Sequence, residues 1–165
     1  MTQDAPHDAP LVDSHAHVYT TDMPLSATAW HKPPADATFD QYIATLDRHG
    51  VKHAVLAAAS LFDDYNEYSL EGFQAVMRAV DNCRTWVKLS AGYRLDSPQV
   101  AQDCAQALLA HAGPERLLWG SDWPFAGFED SMRYEDAIAS FRQWVPDANL
   151  RRIISGETAL RLYFT

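Results

Sequence analysis

Four short apolar runs, each followed by an amphipathic stretch, constrain this chain more than any other feature. The runs are "LVDSHAHV", "KHAVLAAAS", "TWVKLS" and "RLLWGS". Strands that alternate with helices pair in parallel, because each crossover helix returns the chain to the same end of the sheet. The predicted fold class is therefore α/β, with about four parallel βα units. The first helix is expected in "TFDQYIATLDRHG": Thr38 and Gln41 can form a capping box, Phe39, Tyr42, Ile43 and Leu46 recur at helical spacing, and Gly50 ends it. A second is expected over about residues 67 to 82, with Leu70, Phe73, Val76, Met77 and Val80 on its stripe. Ser97 and Pro98 fit N-cap and first position of a third, which stops before "GPE". "YEDAIASFRQWV" turns Ile138, Phe141 and Val145 inward, and "SGETALRLYF" is a last helical stretch. The three prolines of "TDMPLSATAWHKPPADAT" mark an extended loop.

The 165 residues suit one domain over residues 11–165, behind a disordered polar tail over residues 1–10. A net charge of −9 argues against nucleic acid or an anionic membrane as partner, since both attract basic surfaces. It leaves room for a small anionic substrate held by a few local charges. No run has the length of a membrane span, and the tail lacks the apolar centre of a signal peptide. Cys83 and Cys104 make no disulfide framework and no CxxC metal motif. A cytoplasmic protein with reduced thiols is the expectation.

In parallel α/β folds chemistry gathers at the carboxyl ends of strands. The first strand carries Asp13, His15 and His17 at every second position, which puts the three on one face. An edge strand with a wet face would look the same. The second strand runs into Asp63 and Asp64. Lys88 and Ser90 share a face of the third, ahead of Tyr93 and Arg94 in "AGYRL". The fourth ends in "WGSDWPF", where Asp122 stands as the backbone leaves the sheet, either as a site carboxylate or as a turn cap.

"VDSHAH", "VKLSAGYRL" and "LLWGSDWPF" together resemble the amidohydrolase superfamily, and within it the pyrone-dicarboxylate lactonase-like branch. The resemblance implies a TIM (β/α)8 barrel, with these segments as strands one, seven and eight and "ETALRLYF" as the closing helix. Such a barrel takes about 250 residues and rarely fewer than about 200. This chain passes from "LFDDYNEYSL" straight to "EGFQAVMRAVDNCRTWVKLS", so barrel strands three to six are absent from the pattern, with a join near residue 70. The expectation is a partial barrel whose strands stand in the order seven-eight-one-two. His7, His31, His49, His53 and His111 do not replace the histidines that the missing strands supply in the family.

The resemblance implies a hydrolase that opens a small carboxylated lactone without metal or other cofactor. Asp122 would activate water, and His15 and His17 would polarise the carbonyl or hold substrate. Arg94 suits a bidentate clamp on a substrate carboxylate, and is otherwise an exposed loop arginine. Ser90 and Tyr93 are further hydrogen-bond donors, and Lys88 is either a substrate contact or the buried partner of Asp13 or Asp122. The rival reading is a divalent metal, zinc by donor type, on His15, His17 and Asp122, in a metal-dependent hydrolase or decarboxylase. A shortened, non-catalytic chain is the third possibility. The loop from Thr21 to Ala37, with Trp30 and His31, has the length of a lid. An open row of strands would bare Leu11, Val55, Ala57 and Trp86, which predicts self-association of two such half-barrels.

Overall fold

The computed structural model describes residues 9–22, 29–56, 86–95 and 97–164. Most of the N-terminal tail, Asp63 and Asp64, the helix expected over about 67 to 82 and the join near residue 70 lie outside these residues. Strand β1 (Val12–Ala16) leads to helix α1 (Phe39–His49) and strand β2 (His53–Leu56). Strand β3 (Val87–Leu89) leads through a 3-10 turn (Gly92–Arg94) to α2 (Pro98–Ala112). A second such turn (Pro114–Arg116) feeds β4 (Leu117–Trp119), which is followed by α3 (Tyr134–Trp144). The chain closes with α4 (Ala148–Arg152), one π turn (Ile153–Glu157) and α5 (Thr158–Tyr163).

β1 pairs with β2 and β3 with β4, both in parallel. The pairs meet just beyond β4. There the Asp122 amide donates to the His15 carbonyl at 2.8 Å, and the His17 amide donates to the Trp123 carbonyl at 2.8 Å. Ala16 and Trp123 form a parallel bridge at the same place. The row thus runs β3, β4, β1, β2 with a common direction, the order expected from the sequence.

Local sequence explains the helix ends. Thr38 accepts the Gln41 amide, the Gln41 side chain accepts the Thr38 amide, and Gly50 closes α1 at a φ of 73°. Ser97 caps α2 through the Val100 amide, with Pro98 in the first position. The stripe of α1 is narrower than its pattern. Tyr42 and Leu46 are buried, but Phe39 and Ile43 are 56% and 39% exposed, because that i, i+4 row is rotated about 60° from the first. The final helix starts earlier than expected, since the Asp147 side chain accepts the amides of Asn149 and Leu150 and so initiates α4.

All of β4 is buried, as a strand covered on both faces must be. Leu117 and Trp119 join the main core with Tyr134, Phe141 and Ile154, while Leu118 turns the other way to Val12 and Ala159. Trp86, expected to lie bare, packs on that second cluster. Its indole donates to the Glu115 carbonyl at 3.1 Å, and the Arg116 guanidinium lies 4.6 Å from its ring centre. Leu11 is 38% exposed, and Ala57 lies outside the described residues.

Gly120 allows the close approach of β1 and β4. A Cβ there would lie 2.3 Å from the His15 Cβ and 2.8 Å from the His15 amide nitrogen. Both are parts of a strand and neither can swing aside. Gly120→Ala is expected to lose about 1–3 kcal/mol of stability in urea denaturation. An unchanged midpoint would show that the seam tolerates a wider spacing.

Candidate active site

The seam between β1 and β4 brings His15, His17 and Asp122 together. Asp122 is buried at a φ of 66°, a left-handed conformation that Asp tolerates better than most side chains. That turn aims its carboxylate back across the strand ends. Oδ1 lies 3.4 Å from Nε2 of His15 and 3.4 Å from Nε2 of His17. Oδ2 accepts the Tyr93 hydroxyl at 2.5 Å and Arg94 Nε at 3.1 Å. One oxygen is therefore fixed by the loop after β3, and the other faces two imidazoles.

These partners decide the charge. Burial alone would raise the Asp122 pKa, but hydrogen bonds with His15, His17 and Tyr93 and the charge of Arg94 override it and hold the group well below the usual carboxylate range. Tyr93 is displaced upward, by burial and then by the Asp122 charge, so it remains a donor. Burial lowers the Lys88 pKa, against the opposing charge of Asp13.

Arg94 is exposed in the turn after β3, but its guanidinium is engaged within the chain. Its Nη2 donates to the Ala126 carbonyl at 3.0 Å, and its guanidinium lies 5.0–5.6 Å from the ring centres of Tyr93, Phe128 and Trp30. The edge made by Nε and Nη2 is thus engaged within the chain. Lys88 reaches neither Asp13 nor Asp122 with a hydrogen bond: Nζ lies 3.4 Å from His15 Nδ1. Ser90 Oγ is buried without a hydrogen-bond partner among the described residues. Trp30 and His31 do lie against the site loop, His31 Nε2 being 2.8 Å from Glu129 Oε1.

Asp13 does not share a face with the histidines as the alternation suggested. The pairing of β1 shifts register between Asp13 and Ala16, and Asp13 is wholly buried. It accepts hydrogen bonds from Tyr42, Tyr134 and Ser121, none of which the sequence pattern marked as its partner. The available signal was chemical: a tyrosine on a buried helix stripe needs a partner for its hydroxyl.

A family model for amidohydrolases matches residues 62–165, well over half of the chain. The chain belongs to the amidohydrolase family. This amidohydrolase is 33% identical over 84 residues to the 4-sulfomuconolactone hydrolase of Rhizobium radiobacter, a match covering 47% of this chain and 28% of that protein. Its fold is shared with solved structures. The probable 2-pyrone-4,6-dicarboxylic acid hydrolase of Acinetobacter baumannii, solved with citric acid bound, superposes with a TM-score of 0.77 at 17% identity, over 94% of this chain and 100% of that one. A protein of similar description from Pseudomonas putida gives 0.72 at 20% identity, over 94% and 97%. A zinc-bound amidohydrolase from Burkholderia multivorans gives 0.59 at 15% identity, over 94% and 99%. The lineage is hydrolytic.

The donor set of the amidohydrolase also fits a divalent ion. One donor atom from each of His15, His17 and Asp122 lies within 4.8 Å of the others. The two separations of 3.4 Å match the edge, about 3.3 Å, of a tetrahedron whose metal–ligand bonds are about 2.0–2.1 Å.

A carboxylate with a depressed folded-state pKa stabilises the fold above its unfolded value, about 3.9, and loses that contribution as pH falls through the folded value. The carboxyl 13C resonance of Asp122 is therefore expected to show no titration step at or above about pH 3.9. Tyr93→Phe, which removes one donor, should move its midpoint upward. A wild-type midpoint above the ordinary value would contradict this arrangement.

Proposed function

We propose that this amidohydrolase opens a small carboxylated lactone by hydrolysis, its four strands standing where strands seven, eight, one and two stand in a (β/α)8 barrel. The observation that carries the reading is the division of labour within Asp122. Tyr93 and Arg94 hold Oδ2, leaving Oδ1 toward the histidines. The relationship to a lactone hydrolase supports the substrate class.

In the proposed reaction the lactone carbonyl enters beside His15 and His17, and their Nε2–H groups turn from Asp122 to the carbonyl oxygen. Asp122 then loses two interactions that depress its pKa and becomes a better base. It removes a proton from water as the oxygen attacks the carbonyl carbon. The tetrahedral intermediate collapses with cleavage of the ring C–O bond, and the proton held on Asp122 passes to the leaving oxygen. The product is the open hydroxy acid. Arg94, with Nε and Nη2 already engaged, offers Nη1 to a substrate carboxylate, and Trp30 borders the same place.

The tetrahedral-edge separations favour a second reading, in which His15, His17 and Asp122 hold a divalent metal. Such an ion would polarise the carbonyl and lower the pKa of a bound water. Tyr93 and Arg94 would then keep Asp122 anionic and oriented.

A panel of carboxylated and neutral lactones, assayed with and without chelator, tests both. Asp122→Asn is expected to lower kcat by about 10²–10⁴-fold with the fold retained, and a fully active variant would sink the assignment. Chelator-resistant turnover supports the base reading; loss on chelation with recovery on zinc supports the metal reading. Absence of turnover across the panel would overturn the substrate class.

Arg94→Gln gives a further test. It should raise KM for carboxylated lactones by about tenfold or more, because a charge-assisted hydrogen bond is lost. The effect on neutral lactones should be smaller. Equal losses on both would assign Arg94 to holding Asp122 alone.

A further inference from the structure

Asp13 takes no part in the proposed chemistry, yet it is bonded to both segments that carry it. Its Oδ1 accepts the backbone amides of His15, at 3.1 Å, and Ser121, at 2.9 Å. Its Oδ2 accepts the Tyr42 hydroxyl at 2.8 Å, the Tyr134 hydroxyl at 2.9 Å and the Ser121 hydroxyl at 2.5 Å. These five donors come from β1, α1, α3 and the turn after β4. The two oxygens have different clients. Oδ1 holds main-chain atoms in the site-bearing segments, whereas Oδ2 mainly gathers the helices.

A fully buried carboxylate is a poor stabiliser compared with well-packed apolar atoms, because its desolvation opposes its hydrogen bonds. What it supplies that a leucine could not is a fixed distance between two amides. One amide belongs to His15 itself. The other belongs to Ser121, whose neighbour Asp122 is further tied to the His15 carbonyl. We propose that Asp13 is a positioning residue, whose Oδ1 sets the separation of His15 and His17 from Asp122 by clamping the His15 and Ser121 amides. The consequence for the reaction rests on the lactonase reading; the clamp itself does not.

The chemistry of substitution separates positioning from simple support. In Asp13→Asn the amide oxygen can keep both backbone amides, while the NH2 faces the three hydroxyls and donates to two of them, which rotate to accept; the third loses its acceptor, so stability falls. In Asp13→Ala both clients of Oδ1 are released. Tyr42→Phe/Tyr134→Phe removes two donors from Oδ2 and leaves Oδ1 untouched. The Ala variant and the tyrosine pair both lose stability, but only the Ala variant should disturb the site.

The direct readout is the imidazole 15N–1H spectrum of His15 and His17, with His111 on α2 as internal reference, recorded below the unfolding midpoint of each variant. Asp13→Ala is expected to move the resonances of both site histidines. Asp13→Asn and the tyrosine pair should leave them near their wild-type positions. If the wild type opens a lactone, kcat of Asp13→Ala per folded molecule should fall by about 10²-fold, as for a displacement of about 1 Å, with KM little changed.

Wild-type histidine resonances in folded Asp13→Ala, or displacement by the tyrosine pair as large as that in the Ala variant, would overturn the clamp. If Asp13→Ala does not fold, the Asn variant decides. Unshifted histidines in a destabilised Asp13→Asn support the clamp, and shifted ones overturn it. An inactive wild type would count against the lactonase reading alone, since the spectra do not depend on turnover.

Discussion

Five hydrogen-bond donors converge on the buried carboxylate of Asp13, and the rest of the arrangement is built around that point. Burial pushes its pKa up, while the hydrogen bonds around it work in the opposite direction. Every donor surrounding it is satisfied by a carboxyl oxygen and would be left short by an apolar substitute. The two strands at the seam, the first helix and the helix after β4 are thereby fixed to one another through a single group. Gly120 completes the constraint, since the space that a side chain would take there is filled by His15.

A second carboxylate, one residue beyond Ser121, is handled in the opposite way. Asp122 stands in a left-handed turn at the strand end, with donors on Oδ2 and two imidazoles 3.4 Å from Oδ1. Asp13 is bonded to hydroxyls and backbone amides, and serves geometry. Asp122 faces imidazoles and a guanidinium, and carries the charge that the proposed chemistry uses. Two aspartates near one seam thus differ because one is enclosed by the packing and the other lies at its mouth. Beside the second of them, Trp30 lies against the Arg94 guanidinium and His31 against Glu129.

The helix caps were legible because they rest on local rules, and the strand order because the strand motifs resemble those of a known barrel. Thr38, Gln41, Ser97 and Pro98 act within one turn of chain, and the runs around β1 and β4 have compositions that few other elements accommodate. His15, His17 and Asp122 were legible from the alternation of β1 and the turn signal after β4. What escaped the pattern was every relation that depends on tertiary contact. A shift of register in β1 drew Asp13 away from the histidines. Tyr42 looked like another apolar residue of its stripe, and the sequence offered no distance between its hydroxyl and a residue twenty-nine positions away. Lys88 was read as a substrate contact or as the partner of a carboxylate, and its ammonium approaches an imidazole instead of either aspartate. Arg94 was read as free to clamp substrate, but the Ala126 carbonyl that takes part of its fork is a backbone atom, invisible to any motif.

The central claim is that the Asp13 carboxylate locks β1 to the turn after β4 and so holds the site together. Hydrogen exchange of two amides tests it most directly, because the His15 and Ser121 N–H groups both donate to that one oxygen. If the lock holds, both amides exchange only through global unfolding, with protection equal to that of the β4 core, and both lose protection together in Asp13→Ala. Exchange of either amide through local opening, at the rate of the exposed loops, would contradict the account.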